Sequence, residues 1–228
     1  MELILDGVLS PEELSKIAKL LKCAKWEDGS ASAGTQARHM KANLQLTRHT
    51  DTEMEIQQLV RSGLARHPNF YSAALPRKLF APRINRYDNE HPRYGRHIDN
   101  ALLPISGKHD EYLRADISCT IFLNNPEEYE GGELIFDRGF KQEGIKLCAG
   151  DAILYPANTV HEVAPVRSGY RHACFFWIQS FVRHVTQRTM LYNLDKTIMK
   201  LRTQLGDSSE AIELVGLYHN LLREWSDA

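Results

Sequence analysis

Residues 151–178 read DAILYPANTVHEVAPVRSGYRHACFFWI. Apolar and polar residues alternate here, and Gly, Pro, Asn and Ser interrupt them at intervals too short for helices. The stretch therefore predicts three strands, DAILYP (151–156), TVHEVAPV (159–166) and YRHACFFWI (170–178). The same texture runs back to Lys78 through KLFAPRINRY (78–87), ADISCTIFLN (115–124), GGELIF (131–136) and IKLCA (145–149). Asn124-Asn125-Pro126, Gly131-Gly132, Ala149-Gly150-Asp151 and Arg167-Ser168-Gly169 supply the turns. Seven or eight strands without intervening helices predict an antiparallel sandwich or barrel over 78–183.

Helical periodicity flanks this core. Ser10-Pro11-Glu12-Glu13 is a capping box with Pro at the first helical position, and Leu14, Ile17, Leu20 and Leu21 continue the helix to about Cys23. Residues 25–50 are polar and rich in Ser, Ala and Gly, and read as a loop with extended pieces. A second helix over 52–66 carries Met54, Ile56, Leu59, Val60 and Leu64. Beyond Arg183, Leu191, Leu194, Ile198, Leu201 and Leu205 form a narrow seam. Asp207-Ser208-Ser209-Glu210 then caps a last helix with Ile212, Val215, Tyr218, Leu221, Leu222 and Trp225. This hairpin has more apolar surface than two helices bury between themselves, so it docks on the core or meets a second subunit. We assign it to a two-fold homodimer. The expected organisation is an N-terminal helical support (1–77), the β core (78–183) and a C-terminal helical extension (184–228).

Composition narrows the function classes. The 228 residues carry 28 Lys+Arg against 29 Asp+Glu, so no basic field exists to grip nucleic acid. No run approaches the roughly 18 uncharged apolar residues of a membrane span. The N-terminus has no basic, apolar leader, so no signal peptide is expected. Cys23, Cys119, Cys148 and Cys174 show no C-x-x-C spacing, and three of them lie in apolar strand-like contexts. Reduced, buried thiols in a cytoplasmic protein are the expectation.

The chemistry concentrates in RINRYDNEHPRYGRHIDNA (83–101). On a strand His97 and Asp99 would project from one face, supplying two of three ligands of a 2-His-1-carboxylate triad. Taken alone, H-x-D is more often a surface pair than a metal site. His161 lies in an alternating apolar strand, and Arg171 follows ten residues later. If Arg167-Ser168-Gly169 is a three-residue hairpin loop with Gly169 left-handed, His161 and Arg171 share a face. An Arg inside an apolar barrel needs an anion: Glu133, Asp137 or a bound carboxylate. Otherwise it faces solvent.

Together, H-x-D, FLNNP (122–126), GGEL (131–134), GDAILYP (150–156), HEV (161–163) and the Arg ten after His161 resemble the Fe(II)- and 2-oxoglutarate-dependent dioxygenases of the prolyl/lysyl hydroxylase branch. With LVGLYHNLLREW (214–225), the whole chain is similar to the bacterial PKHD-type hydroxylases, the YbiX/PiuC-like group. The resemblance implies a mostly β fold with helices: a double-stranded β-helix (jelly-roll) core, N-terminal supporting helices and a C-terminal helical hairpin. It implies Fe(II) on His97, Asp99 and His161, and 2-oxoglutarate held through its distal carboxylate by Arg171, with Tyr87 in contact. O₂ would be the oxidant, and L-ascorbate the accompanying reductant. Tyr94 would form a pocket wall. Phe122 stands where some relatives have a tyrosine hydroxyl for the cosubstrate. Asp99 is the carboxylate that halogenating relatives lack, so hydroxylation of an unidentified protein or small-molecule substrate is implied, with a link to iron acquisition.

Asn100 and Glu162 should point away from the metal as alternating neighbours, and Gly131-Gly132 should serve a tight turn. Phe175, Phe176 and Trp177 read as core, and His172 and His184 lie outside the ligand register. Arg38, His39, Lys41, Arg93 and Arg96 suggest an anionic or polar substrate at the entrance. The alternatives are a zinc-dependent hydrolase on the same three ligands, which has no use for an internal Arg, and a non-catalytic iron or 2-oxoglutarate sensor signalling through the helical tail.

Overall fold

The computed structural model describes residues 1–32, 38–105, 110–139 and 142–227. In chain order the strands are β1 (Leu3–Leu5), β2 (Trp26–Asp28), β3 (Lys41–Ala42), β4 (Leu44–Leu46), β5 (Pro76–Leu79), β6 (Arg83–Tyr87), β7 (Arg93–His97), β8 (Leu102–Pro104) and β9 (Tyr112–Arg114). They continue as β10 (Ile117–Phe122), β11 (Tyr129–Gly131), β12 (Leu134–Asp137), β13 (Gln142–Ile145), β14 (Ala152–Pro156), β15 (His161–Val163), β16 (Val166–Gly169) and β17 (Arg171–Ser180). The helices are α1 (Pro11–Lys22), α2 (Asp51–Arg66), α3 (Phe70–Ala74), α4 (Val185–Leu205) and α5 (Ser209–Trp225).

Two antiparallel sheets form a double-stranded β-helix. The major sheet runs β1-β14-β10-β17-β6-β4-β2, with β5 also on β17, and the minor sheet runs β13-β12-β15-β7-β3. Alternation along the strands sorts side chains into two cores. Ile84, Ile117, Cys119, Ile121, Cys174, Phe176 and Ile178 turn outward and pack under Ile17 and Leu21 of α1 and Ile56, Val60 and Leu64 of α2. Tyr87, Phe122, Ile153 and Tyr155 turn inward and meet Leu134, Phe136 and Val163 of the minor sheet. The helices thus cover one face of the major sheet, leaving the space between sheets for the site.

Capping places α1 as expected. The Glu13 amide donates to the Ser10 hydroxyl, and the Ser10 amide donates to the Glu13 carboxylate at 2.9 Å. At the other end Ser208, one residue later than the sequence pattern suggested, caps α5 by accepting from the Ala211 amide. The C-terminal helices dock on the barrel: Leu191 packs with Leu75 and Val182, flanked by Tyr218, Leu221, Leu222 and Trp225. Buried Arg188 donates to the carbonyls of Val182 and Arg183, both at 2.7 Å, tying α4 to the end of β17. Met199, Leu205, Ile212 and Leu217 remain exposed.

Several local expectations differ from the structure. The extended pieces expected within 25–50 are paired strands: β3 joins the minor sheet and β2 and β4 the major one. Within NEHPRYGRH, β7 pairs with β15 and β3 inside the minor sheet. Cys148 and Cys23 are exposed, and only Cys119 and Cys174 are buried; all four are free thiols. The expected hairpin between the His161 and Arg171 strands does not form. Gly169 is left-handed (φ 75°), but β16 pairs with β11 and β17 pairs with β6 and β10. Among the described residues no helix is long and apolar enough to cross a membrane.

Candidate active site

Strand register assembles the site. His161 of β15 lies opposite His97 of β7 in the minor sheet. β7 ends at His97, so Asp99 follows the strand rather than belonging to it. Its carboxylate nevertheless returns to the cluster: Oδ1 is 3.9 Å from His97 Nε2 and Oδ2 is 4.0 Å from His161 Nε2. One ligand atom from each residue lies within 4.8 Å of the others, close enough for one metal ion. Backbone carbonyls orient both rings, His97 Nδ1 on Gly95 O at 2.8 Å and His161 Nδ1 on Thr159 O at 2.9 Å. Both Nε2 atoms therefore face the carboxylate with a lone pair available to a metal. Burial, reinforced by His161 alongside, holds the His97 imidazole well below its ordinary pKa, which keeps it in the neutral, ligating form.

Two residues given no role from the sequence lie against this cluster. Ser118 of β10 donates its hydroxyl to Asp99 Oδ2 at 2.6 Å, and the Tyr155 hydroxyl of β14 lies 3.3 Å from His161 Nε2. Both face the cavity because Ser118 and Tyr155 are cross-strand partners. Alternation along ADISCTIF could have shown that Ser118 points inward; its contact with Asp99 could not be read from one strand.

Arg171 reaches the same cavity from the facing sheet. It is paired with Tyr87 across β17 and β6 and is 1% exposed. Its guanidinium sits 5.3 Å from the ring centroids of both Tyr87 and Phe122. Nε and both terminal nitrogens have no hydrogen-bond partner among the described residues. The acidic partners considered from sequence do not serve it: Asp137 pairs with Arg96, and no ion pair joins Glu133 to Arg171. Tyr87 is 1% exposed, accepts from Asn85 Nδ2 at 3.3 Å, and has its hydroxyl pushed up to about 12 by burial. Tyr129 flanks Arg171 around Gly132, and among the described residues its buried hydroxyl meets no partner within hydrogen-bond geometry. Gly131 and Gly132 are left-handed, and a Cβ on Gly131 would meet Pro165 O at 2.1 Å, so both serve the turn and the close approach.

The remaining lining corrects three expectations. Phe175 and Trp177 line the cavity and only Phe176 is core, because β17 alternates and both odd positions share the face of Arg171. Asn100 lines the cavity as well, since the chain has left β7 and its alternation no longer holds. Tyr94 is a wall, stacked on the His97 ring at 3.6 Å between centroids. Lys41, 8% exposed, closes the same side, and burial lowers its ammonium to about 7. His172 lies apart, against Asn124 and Trp26, and His184 precedes α4.

Two neutral imidazoles and one carboxylate suit a first-row divalent metal with open coordination positions. The orphaned guanidinium suits a carboxylate, which accepts two parallel N–H bonds. Ser118, beside Asp99, and Phe122, beside Arg171, are four residues apart on β10, or about 13 Å of backbone. A five-carbon diacid together with the Arg side chain fits that span.

The chain matches known proteins along its whole length. The family model for the 2OG-Fe(II) oxygenase superfamily matches residues 82–179, and that for the PKHD-type hydroxylase C-terminal domain matches residues 186–227. A PKHD-type hydroxylase of Verminephrobacter eiseniae is 49% identical over 227 residues, covering 100% of both chains. One from a Polaromonas species is 45% identical over 227 residues, again covering 100% of both. Among solved structures, a prolyl hydroxylase from Trichoplax adhaerens, in complex with a hypoxia inducible factor peptide fragment, shares the fold. Its TM-score is 0.54 at 15% identity, covering 78% of this chain and 83% of that one. The non-heme alpha ketoglutarate dependent epimerase SnoN also has a TM-score of 0.54 at 15% identity, covering 79% of this chain and 78% of that one.

Proposed function

The chain belongs to the PKHD-type hydroxylases of the Fe(II)- and 2-oxoglutarate-dependent oxygenase superfamily, and we propose how its residues divide that work. His97, Asp99 and His161 hold Fe(II). Arg171 holds the distal carboxylate of 2-oxoglutarate, with Tyr87 in contact. The reaction couples oxidative decarboxylation of 2-oxoglutarate to hydroxylation of a substrate C–H bond. One observation carries this reading: a guanidinium 1% exposed, its three nitrogens unpartnered among the described residues, lies in the cavity of the three ligands. Burying a cation without an anion costs several kcal/mol, and the diacid supplies the anion.

Bound iron would supply the redox chemistry with O₂ and the cosubstrate. The protein's own residues bind, orient and exclude water. The Gly95 and Thr159 carbonyls fix both imidazoles, and Ser118 fixes Asp99. Tyr87 and Phe122 hold the guanidinium between their rings. Tyr129 offers a buried hydroxyl beside Arg171 in place of the one Phe122 lacks. Leu134 and Val163, backed by Phe136, form an apolar wall. The exposed Met199, Leu205, Ile212 and Leu217 support a two-fold contact through 184–228, which a sharply monomeric elution profile would refute. Family likeness alone supports ascorbate as reductant and a link to iron acquisition, and the free thiols support a cytoplasmic setting.

The test is anaerobic titration of Fe(II) and 2-oxoglutarate, followed by the metal-to-ligand charge-transfer band. Wild type should show the band, Asp99→Ala should abolish it and Arg171→Ala should weaken it. Absence of the band in wild type, with zinc retained instead, would refute the assignment.

A further inference from the structure

We propose that the groove bordered by β5, α2 and the β8–β9 hairpin docks an acidic, extended polypeptide segment. The segment lies as an added strand on the open edge of β5, among the cations of Arg48, Arg61 and Lys78. The groove is separate from the metal cavity, and only the step from docked chain to oxidised substrate rests on the oxygenase reading.

Strand β5 is used on one side. It pairs with β17 and, among the described residues, with no other strand. Lys78 lies opposite Gln179, and the Phe80 amide donates to Trp177 O at 2.8 Å. In an antiparallel ladder this register turns the amide and carbonyl of Leu79 away from β17. The neighbouring β4 pairs with β6 and ends at Leu46, so it does not continue along β5. Such an edge accepts another extended chain through main-chain hydrogen bonds, which favours a polypeptide over a small molecule.

The groove's lining selects the character of that chain. Phe80, Ile105 and Leu113 give it apolar surface, while Arg48, Arg61 and Lys78 face a single acid, Glu111, among the described lining residues. Lys78 pairs with Glu111 at 3.9 Å. Arg61 is exposed and makes no hydrogen bond or ion pair among the described residues. Half-buried Arg48 has a buried Nε without a partner among them. Beside it stands Arg83, a further like charge, whose acidic neighbours are Glu53 and exposed Glu27. In a chain with 28 Lys+Arg against 29 Asp+Glu, three cations against one acid is a local excess. Alternation along an added strand sets its apolar side chains on the floor and its carboxylates towards the cations.

The groove adjoins the metal cavity. Phe80 meets Trp177 edge-to-face at 5.5 Å, and Trp177 lines the cavity as the cross-strand partner of Ser118, whose hydroxyl holds Asp99. A docked chain needs only to pass this pair of rings to bring a C–H bond to the metal.

The experiment is calorimetric titration of the full, Zn(II)-loaded chain at low salt. The probes are a blocked heptapeptide of alternating Glu and Val, its Gln–Val counterpart, a fully N-methylated Glu–Val peptide and inorganic phosphate. The Glu–Val peptide should bind about tenfold or more tightly than the Gln–Val one, and added salt should weaken it. N-methylation, which removes the main-chain donors, should cost about tenfold as well. Arg61→Gln with Lys78→Gln should erase the preference for Glu, Arg61→Lys with Lys78→Arg should keep it, and neither pair should alter 2-oxoglutarate affinity. No binding of the Glu–Val peptide, equal affinity for Glu and Gln, or a preference surviving R61Q/K78Q overturns the proposal. Undiminished binding of the N-methylated peptide, or phosphate binding as tightly as the peptide, overturns it too, since neither needs a strand edge. So does an R61Q/K78Q protein that loses 2-oxoglutarate affinity, because the two cations would then serve the fold. Failure of wild type to bind 2-oxoglutarate is a separate readout and refutes the oxygenase assignment instead.

Discussion

Arg171→Met should stabilise the ligand-free protein while abolishing its response to 2-oxoglutarate. Among the described residues the three buried nitrogens of the wild-type guanidinium have no partner, and each such group costs about 1–3 kcal/mol. Contacts with the Tyr87 and Phe122 rings return about 1 kcal/mol each. Methionine keeps the unbranched stem against Gly132 and brings no polar atom, and the small volume it leaves costs about 1 kcal/mol. The balance is a gain of about 2 kcal/mol, or roughly 4–8 °C in Tm for a chain of this size. At a hundredfold excess over Kd, 2-oxoglutarate should add about 2.7 kcal/mol to wild type and nothing to the variant. Differential scanning calorimetry of the Zn(II)-loaded proteins, with and without 2-oxoglutarate, measures both numbers. A variant clearly less stable than wild type without ligand, or one still stabilised by 2-oxoglutarate, would refute the reasoning.

Other outcomes follow from the same contacts. Ser118→Ala removes the 2.6 Å hydrogen bond to Asp99 and should lower Zn(II) affinity by about 10–100-fold, measured by competition with a chelator. Tyr129→Phe should raise the 2-oxoglutarate Kd by about tenfold, the loss of one hydrogen bond to a charged group, while leaving Zn(II) affinity unchanged. His172 supplies a pH dependence: burial first, then Arg86, hold its imidazole down to about 4. Because the folded pKa lies below the ordinary value, its contribution is complete above about pH 6.5 and is lost as the pH falls towards 4. The loss by pH 5 is about 2 kcal/mol, and urea unfolding at pH 7.5 and pH 5 should show His172→Phe losing less stability than wild type.

Strand alternation, capping and turn residues were legible locally because each depends on neighbours a few positions apart. ADISCTIFLN, DAILYP and YRHACFFWI became β10, β14 and β17, and Ser10 caps α1 as its sequence implies. His97, Asp99, His161 and Arg171 could be singled out because few other residue types do their chemistry. The family resemblance, rather than spacing, joined the two halves of the motif.

Where the expectation of a shared face for His161 and Arg171 came from a hairpin, the outcome was right and the reason wrong. His161 pairs with His97 in one sheet and Arg171 with Tyr87 in the other, and they share a cavity because the two sheets face each other. Partners of that kind are separated by long stretches of chain, and strand periodicity does not choose among them. The inward turn of Ser118 was therefore readable, while its contact with Asp99 was not. The same holds for the Lys41 ammonium beside Tyr94 and for the Tyr129 hydroxyl beside Arg171. The sequence by itself determined which faces are apolar and which residues can bind metal or carboxylate, since those are properties of side chains and short-range order. Only the tertiary structure decided which of them meet, because that depends on long-range strand pairing and on the closing of one sheet over the other.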